Sequence, residues 1–156
     1  MAICLLLAKR NSDKTAGRLS SVLLLDKQSD AEILVLSISA EQDELMQALD
    51  QAEEFLTTHR VDAARIAKIR LSMEELGLNI VKHNQEKEDK HMEIQLSLGE
   101  EIELIIRDNG KNFDPTQWEK LEGDQFSGLG LMLVKSASNA FEYIPTIGCN
   151  RVMLKY

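Results

Sequence analysis

Residues 62–84 (DAARIAKIRLSMEELGLNIVKHN) limit the possible folds more than any other stretch. At 100° per residue, Ile66, Ile69, Met73, Leu76 and Ile80 fall within a stripe about 80° wide. A long helix with one apolar stripe has to lay that stripe on another element, so the chain needs a second layer. Asp62 is the natural N-cap. Gly77 projects near the centre of the stripe, where it costs about 1 kcal/mol relative to Ala. Close packing of the helix on a sheet is the expected compensation.

The flanking segments read as that second layer. Ile33 to Ile38 (ILVLSI) reads as a buried strand. Ser39 and Gln42 have capping-box spacing, which predicts a helix over 40–58 with Leu45, Leu49, Ala52 and Leu56 on one face. Residues 85–90 (QEKEDK) are a charged turn, and strands are expected at 92–98 and 102–107. Asn109-Gly110 breaks the second of these, and Pro115 ends any extension. Residues 116–127 are polar with few apolar anchors and read as a loop. A third helix over 128–140 and two closing strands, near 141–146 and 151–155 and joined at Gly148-Cys149-Asn150, complete the chain. This order predicts an α/β fold, a two-layer sandwich with a mixed, mostly antiparallel sheet and helices on one face. It excludes the alternating βαβ pattern of a dinucleotide fold.

At 156 residues the chain is long enough for one domain with a real core. Its formal net charge of -8 disfavours nonspecific grip on nucleic acid. The charge is unevenly spread, with +2 over residues 1–30 and -10 over 31–156. Met1 to Ala8 (MAICLLLA) is apolar and is followed at once by Lys9 and Arg10. Eight residues cannot span a bilayer, which needs about 20. Two readings of 1–30 stand: a loosely docked arm, or the remnant of a membrane-proximal segment with Lys9, Arg10 and Lys14 as its cytoplasmic flank. Residues 19–27 could add a short strand. Cys4 and Cys149 form no CxxC pattern, and the three histidines have no zinc spacing. Both points fit a reducing, cytoplasmic setting.

Three short motifs carry the chemistry. In the first, Glu75, Asn79 and His83 are spaced by four and stack along one edge of the long helix, beside its apolar stripe. Asn can offer a neutral oxygen to Mg²⁺, which takes few protein ligands. Glu can serve as a base for a hydroxyl. A solvated polar edge would have the same spacing. In the second, Asp108-Asn-Gly110-Lys-Asn-Phe113-Asp114-Pro115 follows a predicted strand. Its Asp can accept from an exocyclic amino group, and Gly110 leaves space for a flat base. A plain Asn-Gly turn is the simpler account. In the third, Gly128-Leu-Gly130-Leu131 opens a predicted helix, where backbone amides favour phosphate. The Rossmann GxGxxG and the P-loop are both missing.

Taken in this order, the motifs resemble those of the GHKL superfamily of ATP-binding domains, which includes gyrase and the histidine kinases. Glu75–Asn79–His83 is similar to its N box, and Asp108-x-Gly110-x-x-Phe113-Asp114-Pro115 to its first glycine box. Gly128-x-Gly130-Leu131 is similar to the second. The resemblance covers residues 31–156 and implies the Bergerat, histidine-kinase-like ATPase fold. Within the superfamily the compact form most resembles the bacterial anti-sigma-factor serine/threonine kinases. Four departures stand out: Asn84 follows His83 where the family usually has Gly, Asn112 replaces a common Gly, Ser127 precedes the second box, and Gly77 and Ile80 flank Asn79.

The resemblance implies ATP and Mg²⁺ as cofactors. It makes Glu75 the general base and Asn79 the Mg²⁺ ligand, and places Asp108 and Gly110 at the adenine. Gly128, Gly130 and Leu131 would line the phosphates, His83 and Phe113 would lie near the nucleotide, and 116–127 would be the ATP lid. It implies a sigma factor and a small antagonist protein as partners, and a homodimer. The alternative is an ATP-sensing regulatory module without kinase activity, attached to a membrane protein through residues before Lys9.

Overall fold

The computed structural model describes residues 20–26, 31–117 and 128–156. The Met1–Ala8 run and residues 118–127 of the expected lid lie outside the described residues. The elements are β1 (Ser20–Asp26), β2 (Ala31–Ser39), α1 (Gln42–Thr58), α2 (Ala63–His83), β3 (His91–Leu98), β4 (Ile102–Asp108), α3 (Leu129–Ala137), β5 (Ala140–Thr146) and β6 (Cys149–Lys155). The strands form one sheet in the order β1-β2-β3-β4-β6-β5. Every pairing among the described residues is antiparallel, so the sheet is not mixed. The two-layer α/β sandwich expected from the sequence is the fold found. Part of the N-terminal stretch belongs to the sheet, because β1 pairs with β2 along its whole length.

The core consists of rows of side chains running across the strands. Leu34, Leu96, Leu104 and Leu154 stand in register and are buried, as are Leu36, Ile94, Ile106 and Val152. Each such aliphatic side chain contributes about 1.5–3 kcal/mol when fully buried. Ile69, Met73 and Leu76 of α2 join this core, along with Leu45, Leu49, Ala52 and Leu56 of α1. The next row reads Ile38, Met92, Asp108, Asn150. It starts apolar and turns polar at β4, while still on the buried side of the sheet. That change places the site.

Three local expectations need correction. Gly77 does not make room for the sheet: a Cβ there would collide with the Leu45 side chain of α1. The close approach is helix to helix. The Ser39–Gln42 capping box does not form. The N-cap is Glu41, with no side-chain cap, and the Glu44 carboxylate instead accepts from Ser39 N–H at 2.8 Å. The third helix stops at Ala137, short of 140, because Ser138 turns extended while its N–H and hydroxyl both bond to the Val134 carbonyl. At the α1–α2 corner, Arg60 adopts a left-handed φ of 59°. Val61 N–H bonds Leu56 O and Arg60 N–H bonds Thr57 O, a Schellman motif closed without glycine.

Candidate nucleotide site

Asp62 starts α2 by accepting from Arg65 N–H at 2.9 Å, and Asn84 caps its end. Twenty-one residues of regular helix put Glu75, Asn79 and His83 along one edge, as the spacing predicts. Asn79 and His83 line a cleft of about 400 Å³, mouth included, between α2 and the ends of β4 and β6. Its other walls include Asn84, Asp108, Lys111, Phe113 and Asn150. Leu76, Ile80 and Val152 give it an apolar floor. A mostly apolar cleft with a few convergent polar groups is the usual character of a small-molecule site.

Asp108 lines the cleft and is only 7% exposed. Its Oδ1 accepts from Gly110 N–H at 2.7 Å and from the Asn150 amide at 3.1 Å. Burial raises its pKa above the ordinary 3.8, opposed by the bonds from Asn150 and Gly110, the Lys87 charge and the Asn84 amide. Asn150 also donates to Lys111 O at 2.9 Å and accepts from the Tyr143 hydroxyl at 2.8 Å. Asn109 braces the other side, donating to Asp89 O at 2.7 Å and accepting from His91 N–H at 2.9 Å. The Lys87 ammonium donates to the Asn109 carbonyl. His83 stacks on Phe113 with ring centroids 5.4 Å apart.

Glu75, Gly128 and Gly130 are not among the residues that line the cleft. Gly128 takes a left-handed φ of 78° as it enters α3. The Glu75 carboxylate lies against Gly130 so closely that a Cβ there would overlap it. Glu75 on α2 and the start of α3 therefore meet, as the motif order implies. Leu131 is buried in the core beside Val134 and serves to seat α3. It does not line the cleft.

A family model for the histidine kinase-like ATPase domain matches residues 38–156. The chain belongs to the histidine kinase-like ATPase domain family. No curated protein matches it. Membership carries ATP binding, and this ATPase domain has a mostly apolar cleft with a buried Asp in its wall. Mg²⁺ accompanies ATP in such domains, and the donor set here fits it. Asn79 offers a neutral oxygen at the cleft. Among the described residues no three His, Cys, Asp or Glu side chains gather into a cage. An ion that keeps its waters and phosphate oxygens needs no cage.

Two cleft residues of the ATPase domain carry no motif signal. Asn84 is 6% exposed and Asn150 is 3% exposed, and both touch the Asp108–Lys111 turn. Gly110 leaves room for one of them, since its Cβ would overlap the Asn84 amide. For Asn84 the available clue is its departure from the usual Gly. For Asn150 there is only its place in a strand that pairs with β4. No helix among the described residues is long and apolar enough to cross a membrane.

Proposed function

We propose that this ATPase domain is a serine/threonine protein kinase of the anti-sigma type. It binds Mg-ATP in the cleft and phosphorylates a small antagonist protein, and through that partner controls a sigma factor. The observation that carries the reading is the position of Glu75, one helical turn before Asn79 and against the backbone at the start of α3. A half-buried carboxylate beside the phosphate end can accept the proton of an incoming Ser or Thr hydroxyl. The hydroxyl oxygen bonds to the γ-phosphorus, the bond from that phosphorus to the bridging oxygen breaks, and ADP leaves. Asn79 would hold Mg²⁺, which would supply charge neutralisation on the phosphates. Asp108 accepts from the adenine amine, and Gly128 and Gly130 let the phosphates approach the start of α3.

Calorimetric titration of ATP, with and without Mg²⁺, tests the reading. The wild type is expected to bind in a Mg²⁺-dependent way and Asn79→Ala to lose that dependence. Glu75→Gln is expected to keep Mg-ATP affinity and lose release or transfer of the γ-phosphate. Unaltered Mg-ATP binding in folded Asn79→Ala refutes the site assignment. A second reading, an ATP sensor attached to a membrane, is favoured by the Met1–Ala8 run before Lys9 and Arg10. It predicts binding without transfer even in the wild type.

A further inference from the structure

The Asp108–Lys111 turn is held from both sides by buried asparagines. From β6, Asn150 donates to Asp108 Oδ1 and to the Lys111 carbonyl. From the end of α2, Asn84 Oδ1 accepts from Lys111 N–H at 3.3 Å. That contact turns the Asn84 amide toward Asp108, where it favours the ionised carboxylate. The same residue, Lys111, thus has its N–H taken by one asparagine and its carbonyl by the other. Gly110 sits between them, with room for Asn84 and for no side chain of its own.

The backbone does not require asparagine at position 84. Asn is favoured as a helix terminator for its tolerance of the left-handed region. Here the residue has φ -114° and ψ 17°, which almost any residue adopts. Its carboxamide is buried and lines the cleft wall. The side chain, then, is what the site uses. Meanwhile Asp108 Oδ1 is occupied twice, by Gly110 N–H and by the Asn150 amide. A carboxylate is free to twist about its last torsion unless its neighbours hold it. With Oδ1 pinned and the turn clamped, Oδ2 has a fixed direction.

We propose that Asn84 is a specificity-determining positioning residue: it clamps the Asp108–Lys111 turn so that Asp108 Oδ2 faces the exocyclic amine of adenine. This rests on the ATP-binding reading above and adds to it the residue that sets base discrimination. Asn84 acts through Asp108 and the turn and does not take part in phosphoryl transfer.

The test compares ATP with purine riboside triphosphate, which lacks the amine, by calorimetry in Mg²⁺. It uses the wild type, Asn84→Ala and the nearly isosteric Asn84→Leu. The wild type is expected to prefer ATP by roughly tenfold or more, as for a hydrogen bond to a charged group. Both variants are expected to reduce that ratio at least fivefold while binding the amine-free analogue about as well as wild type. Asn84→Leu keeps the volume and loses the acceptor for Lys111 N–H, so it separates orientation from packing should Asn84→Ala fail to fold. An unchanged ratio in folded Asn84→Leu overturns the proposal and leaves the ATP reading standing. A folded wild type that binds neither nucleotide overturns both.

Discussion

At the base end of the cleft, Asp108, Asn84 and Asn150 are buried, and they bond to one another or to the backbone between them. At the phosphate end, Glu75 and Asn79 are half-buried, and Glu75 rests against a glycine. The physical reason lies in solvent access. A buried polar group must find a protein partner, whereas a half-exposed one can leave its valences to water until a ligand arrives. In the proposed site, base recognition would therefore be built into the folded chain, and phosphate recognition completed when nucleotide binds. The same substitution should have different effects at the two ends.

Gly110→Ala is the strongest way to break the comparison. The new Cβ would overlap an amide that is buried and bonded to Lys111 N–H, and moving it breaks that bond. A loss of about 1–3 kcal/mol is expected in urea unfolding, together with loss of ATP affinity. Asp108→Asn comes next. It should remove at least tenfold of the preference for adenine over the amine-free purine while the fold persists. The folded pKa of Asp108 is raised, so its stabilising contribution is present below pH 3.8 and is lost as pH rises through the folded value. Asp108→Asn is spared that loss, so its stability relative to wild type should improve from acid to neutral pH. Urea midpoints at stepped pH check this, and a gap that moves the other way contradicts the burial argument.

Gly130→Ala tests the phosphate end with the same added methyl group. Its overlap is with the free end of a half-exposed Glu75 side chain, which can swing aside. Helix propensity also improves by up to about 1 kcal/mol. The melting temperature should hardly change while Mg-ATP affinity or turnover falls. A large stability loss would mean that this end is as rigid as the other. The smallest effect is expected from Phe113→Ala. The ring is 37% exposed and stacks only on His83, so about 0.5 kcal/mol of stability is at stake.

The framework was legible in the sequence because burial leaves a period. The α2 stripe of Ile69, Met73 and Leu76 and the leucine rows of β2, β3 and β4 are written in spacings of three, four and two. The meeting of α2 with the cleft was legible for the same reason, since Glu75, Asn79 and His83 share a helix edge. The spacing of Gly77 announced a close neighbour but not which one, and the neighbour proved to be Leu45. Glu44 took over the bond at Ser39 because the helix began later than its cap signal. Asn150 was not legible, and Asn84 showed only as a departure from the usual Gly. A single asparagine has no period, and the role of these two depends on where α2 stops and on how β6 aligns with β4.

That alignment has a consequence for how the chain reaches its native form. Asn150 stands opposite Asp108, and its strand neighbours Cys149 and Arg151 point the other way. If β6 slipped by one residue, a guanidinium or a thiol would stand where the carboxamide belongs, and the buried carboxylate would lose its donor. The polar pair therefore acts as a check on strand alignment, and a molecule that assembles its last hairpin wrongly loses its nucleotide site at the same time.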